Sequence, residues 1–125
     1  MARILVVDDD MSIGYMIRDI LEFKNHDVTL SQKPLETKQN VINNDIELVL
    51  LDKLISGVDG TDVCSELKKD EKVAHIPVVM MSALHNADEI CKNAGAVDFI
   101  AKPFDMATLL TRIDEVLAAN SNNEK

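Results

Sequence analysis

The strongest constraint on this chain is an alternation that runs through nearly all of it: short apolar runs separated by stretches with helical spacing. The runs are Ile4-Leu5-Val6-Val7, Val28-Thr29-Leu30, Leu48-Val49-Leu50-Leu51, Val78-Val79-Met80-Met81 and Val97-Asp98-Phe99-Ile100. Three of them are apolar without a break, the pattern of strands in a parallel sheet covered on both faces. The second is shorter and alternates from Asp27 to Leu30, which suits an edge strand. Between the runs lie four apolar stripes: Ile13, Ile17, Ile20 and Leu21; Gly60, Val63, Cys64 and Leu67; Ala87, Ile90, Cys91 and Ala94; Leu109, Ile113, Val116 and Leu117. Each has the spacing of one buried helical face. Segment 34–43 has sparser apolar positions (Leu35, Val41, Ile42), but Pro34 fits a first helical turn.

Five strands and five helices in strict alternation, joined by right-handed crossovers, predict an α/β sandwich. The natural candidate is a flavodoxin-like, doubly wound five-stranded parallel sheet of order 2-1-3-4-5, flanked by five helices. Helix punctuation agrees. Asp10, Asp59 and Asp105 stand where N-caps belong. Asn86 with Glu89 resembles a capping box, and Gly95 stands at the end of the fourth helix. A chain of 125 residues suits one core. The domain is expected to span 1–119, with a polar tail at 120–125 that frays.

Composition narrows the function. A net charge of −9 disfavours direct nucleic-acid binding, which needs a basic face. No apolar run approaches a membrane span, and the start of the chain has no signal-peptide pattern. Two cysteines, Cys64 and Cys91, on buried helix faces read as reduced structural thiols. Together these point to a cytoplasmic protein. His26, His75 and His85 show no metal spacing and read as surface residues.

The polar residues that end the strands carry the chemistry. Strand one ends in Asp8, Asp9 and Asp10, strand three in Asp52, strand four in Ser82, and strand five in Lys102-Pro103. The predicted topology brings them to the carboxyl edge of the sheet, where such folds bind ligands. Clustered carboxylates repel and raise at least one pKa unless a cation joins them. Mg²⁺ suits them, because it takes oxygen ligands and pairs carboxylates with phosphate oxygens. Lys102 adds a compact positive charge and Ser82 a hydroxyl, both suited to phosphoryl oxygens. A carboxylate can itself be the nucleophile and form an acyl phosphate.

Four segments resemble response-regulator receiver domains. Ile4 to Asp9 is similar to their first strand and acidic pair. Asp52-Lys-Leu-Ile-Ser-Gly-Val-Asp-Gly60 is similar to the phosphoacceptor loop, Pro77 to Ala83 to the fourth strand with its switch hydroxyl, and Phe99 to Phe104 to the fifth strand and its lysine. The likeness runs in order from about residue 2 to residue 119. It implies that Asp52 is the phosphoacceptor and that Asp8, Asp9, Asp52 and the backbone carbonyl of Leu54 hold Mg²⁺. It further implies that Ser82 and Lys102 bind the phosphoryl group, that Ser82 and Phe99 form the switch, and that the Lys102-Pro103 bond is cis. Such a domain is a signalling switch rather than an enzyme, catalysing only its own phosphotransfer and dephosphorylation. Its donor is a histidine kinase or His phosphotransfer protein. Its output face comprises the fourth helix, fifth strand and fifth helix, read by a protein target, by a phosphorylation-dependent dimer or from a monomer. The chain is either stand-alone or a receiver taken from a longer protein.

Three positions depart from the family pattern. Ser56 stands where Pro is frequent, Ser82 replaces the commoner Thr, and Phe99 lacks the hydroxyl of the frequent Tyr. Apolar Leu54 and Leu84 beside the site favour slow self-dephosphorylation. Two other readings compete. Asp8-x-Asp10 resembles the nucleophile motif of haloacid dehalogenase-like phosphatases, which leaves Asp52 without a role. A receiver-like binding module that is never phosphorylated leaves the whole acidic, hydroxyl and lysine set without one.

Overall fold

The computed structural model describes residues 1–84 and 86–123, with the backbone alone for 121–123. Its central sheet contains β1 (Arg3–Val7), β2 (Asp27–Ser31), β3 (Leu48–Asp52), β6 (Val78–Ser82) and β7 (Asp98–Ala101), in the order β2-β1-β3-β6-β7. All four pairings are parallel. Helices α1 (Met11–Phe23), α2 (Thr37–Asn43), α3 (Gly60–Lys69), α4 (Ala87–Asn93) and α5 (Met106–Asn123) follow the strands. The expected sheet order is therefore present, with β6 and β7 as its fourth and fifth strands.

The unbroken apolar runs are explained by two cores, one on each face. Ile4, Val6, Leu48, Leu50, Val79 and Met81 pack with Ile17 and Leu21 of α1 and Leu109 and Ile113 of α5. Leu5, Val7, Val49, Leu51, Val78 and Met80 pack with Val41 of α2, Val63, Cys64 and Leu67 of α3, and Ala87 and Cys91 of α4. Period-two alternation sends neighbouring side chains to opposite faces, so a strand buried on both sides has no room for a polar residue until it ends. At those ends the first charged groups appear.

Helix ends follow the sequence at most positions. The Asp10 carboxylate accepts from the Ser12 and Ile13 N–H groups, and the Asp59 carboxylate from the Thr61 N–H. Asp105 accepts from the Thr108 N–H at 2.7 Å. Gly95 has φ 108° after α4, with its N–H donating to the Lys92 carbonyl and the Ala96 N–H to that of Cys91. That pair of bonds closes the helix in a Schellman motif, which needs a left-handed residue there.

Several expectations are corrected. Asn86 occupies the N-cap position of α4 but makes no side-chain cap bond, its φ −110° and ψ 25° lying outside the extended region that capping uses. Ile90 is exposed, because α4 meets the sheet through Ala87 and Cys91, one turn apart. Segment 34–43 splits into a 3-10 turn, Pro34–Glu36, and the short α2, and Leu35 and Ile42 face outward. The backbone of 120–123 continues α5; residues 124–125 of the expected tail, and His85, lie outside the described residues. The stretch after Asp52 is a small antiparallel ribbon of β4 (Leu54–Ile55) and β5 (Val58–Asp59).

Candidate functional site

Register brings the strand ends level. Val7 pairs with Leu51, Asp52 with Met81, and Ser82 with Ala101. Asp8, Asp52, Ser82 and Lys102 therefore emerge along one edge, from four strands that neighbour one another.

The Lys102 ammonium lies 2.7 Å from Asp8 Oδ2 and 3.4 Å from Asp52 Oδ2. The Asp8 side chain is 1% exposed, and those of Lys102 and Asp52 are each 13% exposed. The second Asp8 oxygen, Oδ1, accepts from the Asp10 N–H at 2.9 Å, and Asp52 Oδ1 accepts from the Lys53 N–H at 3.0 Å. Burial pushes the Asp52 carboxyl above its ordinary range, and nearby Asp8 adds to this, while Lys102 and the Lys53 N–H only partly offset it. Burial alone would lower the Lys102 pKa. The hydrogen bond to Asp8 and the charges of both aspartates outweigh burial, so it is raised and the ammonium stays charged.

Asp9 is exposed on the open side of the cluster. Its Oδ2 accepts from the Ser56 N–H at 2.8 Å and lies 3.4 Å from the Ser56 hydroxyl. Asp8, Asp9 and Asp52 can each offer one oxygen with all three within 4.8 Å of one another. Three carboxylates against one ammonium leave uncompensated negative charge, and this all-oxygen donor set fits a hard divalent cation. Ser82 is buried, and its Oγ accepts from the Leu84 N–H at 3.0 Å, which leaves the hydroxyl proton to donate elsewhere. A cavity of about 400 Å³ opens over Asp52, Ser82 and Lys102, with the exposed side chains of Leu54 and Leu84 on its rim.

Phe99 in β7 is half-buried against the core shared by α3 and α4. The Lys102-Pro103 peptide is cis. Asp10 is committed to capping α1, which argues against a nucleophile motif built from Asp8 and Asp10. Ser56 was legible only as a departure from proline. Its contact with Asp9 spans 47 residues, and the one local hint was the Ser-Gly pair, a common turn dipeptide.

A doubly wound parallel sheet with polar side chains gathered at its carboxyl edge defines the flavodoxin-like class, in the form also seen in CheY-like proteins. Within that class, the sequence profile described as "Response regulator receiver domain" matches residues 4–114, and the chain belongs to that family. It is 34% identical over 119 residues to the DNA-binding dual master transcriptional regulator RpaA of Synechocystis sp., covering 94% of this chain and 49% of that protein. It is 33% identical over 124 residues to the response regulator MprA of Mycobacterium sp., covering 98% and 53%. The chain thus spans about half the length of these curated relatives. Among solved structures, the CheY-like receiver domain protein of Methanospirillum hungatei superposes with a TM-score of 0.89 at 27% identity, covering 98% of both chains. The receiver domain of NtrX from Brucella abortus gives 0.83 at 30% identity, covering 92% of this chain and 98% of that one. The chain is accordingly a receiver domain of the two-component type, a signalling domain rather than a conventional enzyme. Among the described residues, no helix is long and apolar enough to cross a membrane.

Proposed function

We propose that this domain is a phosphorylation switch whose acceptor is Asp52. The observation that carries this reading is the Lys102 ammonium held between two carboxylates that are almost out of water. An Asp52 oxygen attacks the phosphorus of a phosphohistidine on a histidine kinase or His phosphotransfer protein. The P–N bond breaks, the imidazole leaves, and an acyl phosphate forms. The work left to the protein is positioning and neutralising charge.

Asp8, Asp9, Asp52 and the Leu54 carbonyl would hold Mg²⁺, which when bound neutralises the charge gathering at the phosphoryl oxygens. Lys102 turns from Asp52 Oδ2 to a phosphoryl oxygen, and the Ser82 hydroxyl donates to another. Ser82 is drawn toward the acceptor, and the space it leaves admits the Phe99 ring. That packing change biases the face made by α4, β7 and α5, which a protein partner or a second copy reads. Leu54 and Leu84 on the cavity rim disfavour an ordered attacking water and slow dephosphorylation. A cytoplasmic setting fits this role.

Intact-mass measurement after incubation with acetyl phosphate tests the reading. A gain of one phosphoryl group (about 80 Da) that needs Mg²⁺ and disappears in Asp52→Asn is expected. No adduct, together with no beryllofluoride complex, would identify an unphosphorylated binding module instead.

A further inference from the structure

Ser56 occupies a conformation that proline cannot take. Its φ is 51°, and that of Gly57 is 81°. Two consecutive positive φ values between paired strands describe a two-residue hairpin turn of the primed type. Proline is locked near −65° and has no N–H to donate. Here the N–H is used: it donates to Asp9 Oδ2 at 2.8 Å, with the hydroxyl 3.4 Å from the same oxygen. Among the described residues, a Cβ on Gly57 would meet nothing within 4 Å, so the turn demands backbone freedom there rather than space.

The ribbon is anchored at both ends. At its base, Leu54 pairs with Asp59, whose carboxylate caps α3 through the Thr61 N–H at 2.9 Å. At its tip, the turn is tied to Asp9. An exposed carboxylate with no such tie would sample several rotamers and lose that freedom on binding an ion. The tie engages one oxygen, and among the described residues the other accepts no hydrogen bond; ligating carboxylates are commonly held by a hydrogen bond of this kind.

We infer that Ser56 is a positioning residue for the cation site: its backbone N–H fixes Asp9 so that Oδ2 serves the turn and Oδ1 faces the cation. The same tie steadies the ribbon that carries Leu54, so one turn sets two of the groups assigned to the ion. This rests on the proposed reading of Asp9 as a metal ligand. The backbone N–H is the working group, since the hydroxyl contact is long.

The test is an MgCl₂ titration followed by backbone amide shifts, read at Lys53 and Asp10, on wild type, Ser56→Ala and Ser56→Pro. Wild type and Ser56→Ala are expected to agree within about twofold, and Ser56→Pro to bind about tenfold more weakly. Affinity that is unchanged or tighter in Ser56→Pro overturns the inference, the latter because turn and cation would then compete for one oxygen. A flat wild-type titration instead defeats the underlying reading of Asp9. Should Ser56→Pro fail to fold, Asp9→Ala, which removes both side-chain oxygens, supplies the second arm. The Ser56 amide is expected to exchange with solvent at least several-fold faster in that variant, and an unchanged rate overturns the inference.

Discussion

The two ends of the central sheet pair opposite charges in very different ways. At the amino end, Arg3 and Glu47 meet at 3.3 Å with side chains 45% and 42% exposed. At the carboxyl end, Lys102 meets Asp8 at 2.7 Å with the carboxylate 1% exposed. The larger concavity lies at the amino end, about 600 Å³ against about 400 Å³. Its lining alternates in sign, with Arg3 and Lys72 beside Asp45 and Glu47, and water screens those charges. Volume is therefore a poor guide to chemistry here. The informative feature is charge held in a low-dielectric place with an excess of one sign, because the excess is relieved only by a proton, a cation or a change of state.

Substitutions at the two ends should therefore differ sharply. The largest effect is expected from Lys102→Met, which should slow phosphoryl uptake from acetyl phosphate by about 100-fold, as loss of a positioned electrostatic group does. Glu47→Ala should leave that rate unchanged. Equal effects at the two ends would break the comparison.

A second contrast is in pH dependence. The Asp52 pKa is raised above its ordinary 3.8, so the folded state binds this proton more tightly than the unfolded chain does. The cost of ionising Asp52 in the fold is absent well below 3.8, grows as pH rises through the raised value, and persists above it. Urea unfolding of wild type and Asp52→Asn should therefore show the mutant gaining relative stability as pH rises through that window.

Smaller effects sharpen the picture of the ribbon and the amino end. Asp59→Ala removes the N-cap of α3 and should destabilise by about 1 kcal/mol in urea titrations. Glu47→Ala should cost well under about 1 kcal/mol, as exposed ion pairs do.

The same contrast explains what was legible in the sequence. The ends of β1, β3 and β6 declare themselves because a doubly buried strand has no polar residue until it stops, which placed Asp8, Asp52 and Ser82 on one edge; Lys102 joined them as the residue that follows the shorter, partly exposed fifth run. The clustering of Lys102 with Asp8 as well as Asp52 was not legible, since it depends on side-chain geometry across β1, β3 and the end of β7. The ribbon after Asp52 escaped because strands of two residues have no periodicity to read. Asn86 misled because residue type alone does not fix the backbone angles a cap requires. Ile90 misled because the i+3 position of a two-turn helix can roll off the buried stripe.

The measurement that bears most directly on the central claim is to trap and locate the modified carboxyl. The protein would be treated with acetyl phosphate and Mg²⁺, reduced with borohydride to convert an acyl phosphate to homoserine, digested and sequenced by mass spectrometry. Homoserine at position 52, dependent on Mg²⁺, is the expected result. Homoserine at position 8 or 9, or reduction at no carboxyl at all, would contradict the assignment of Asp52 as the acceptor.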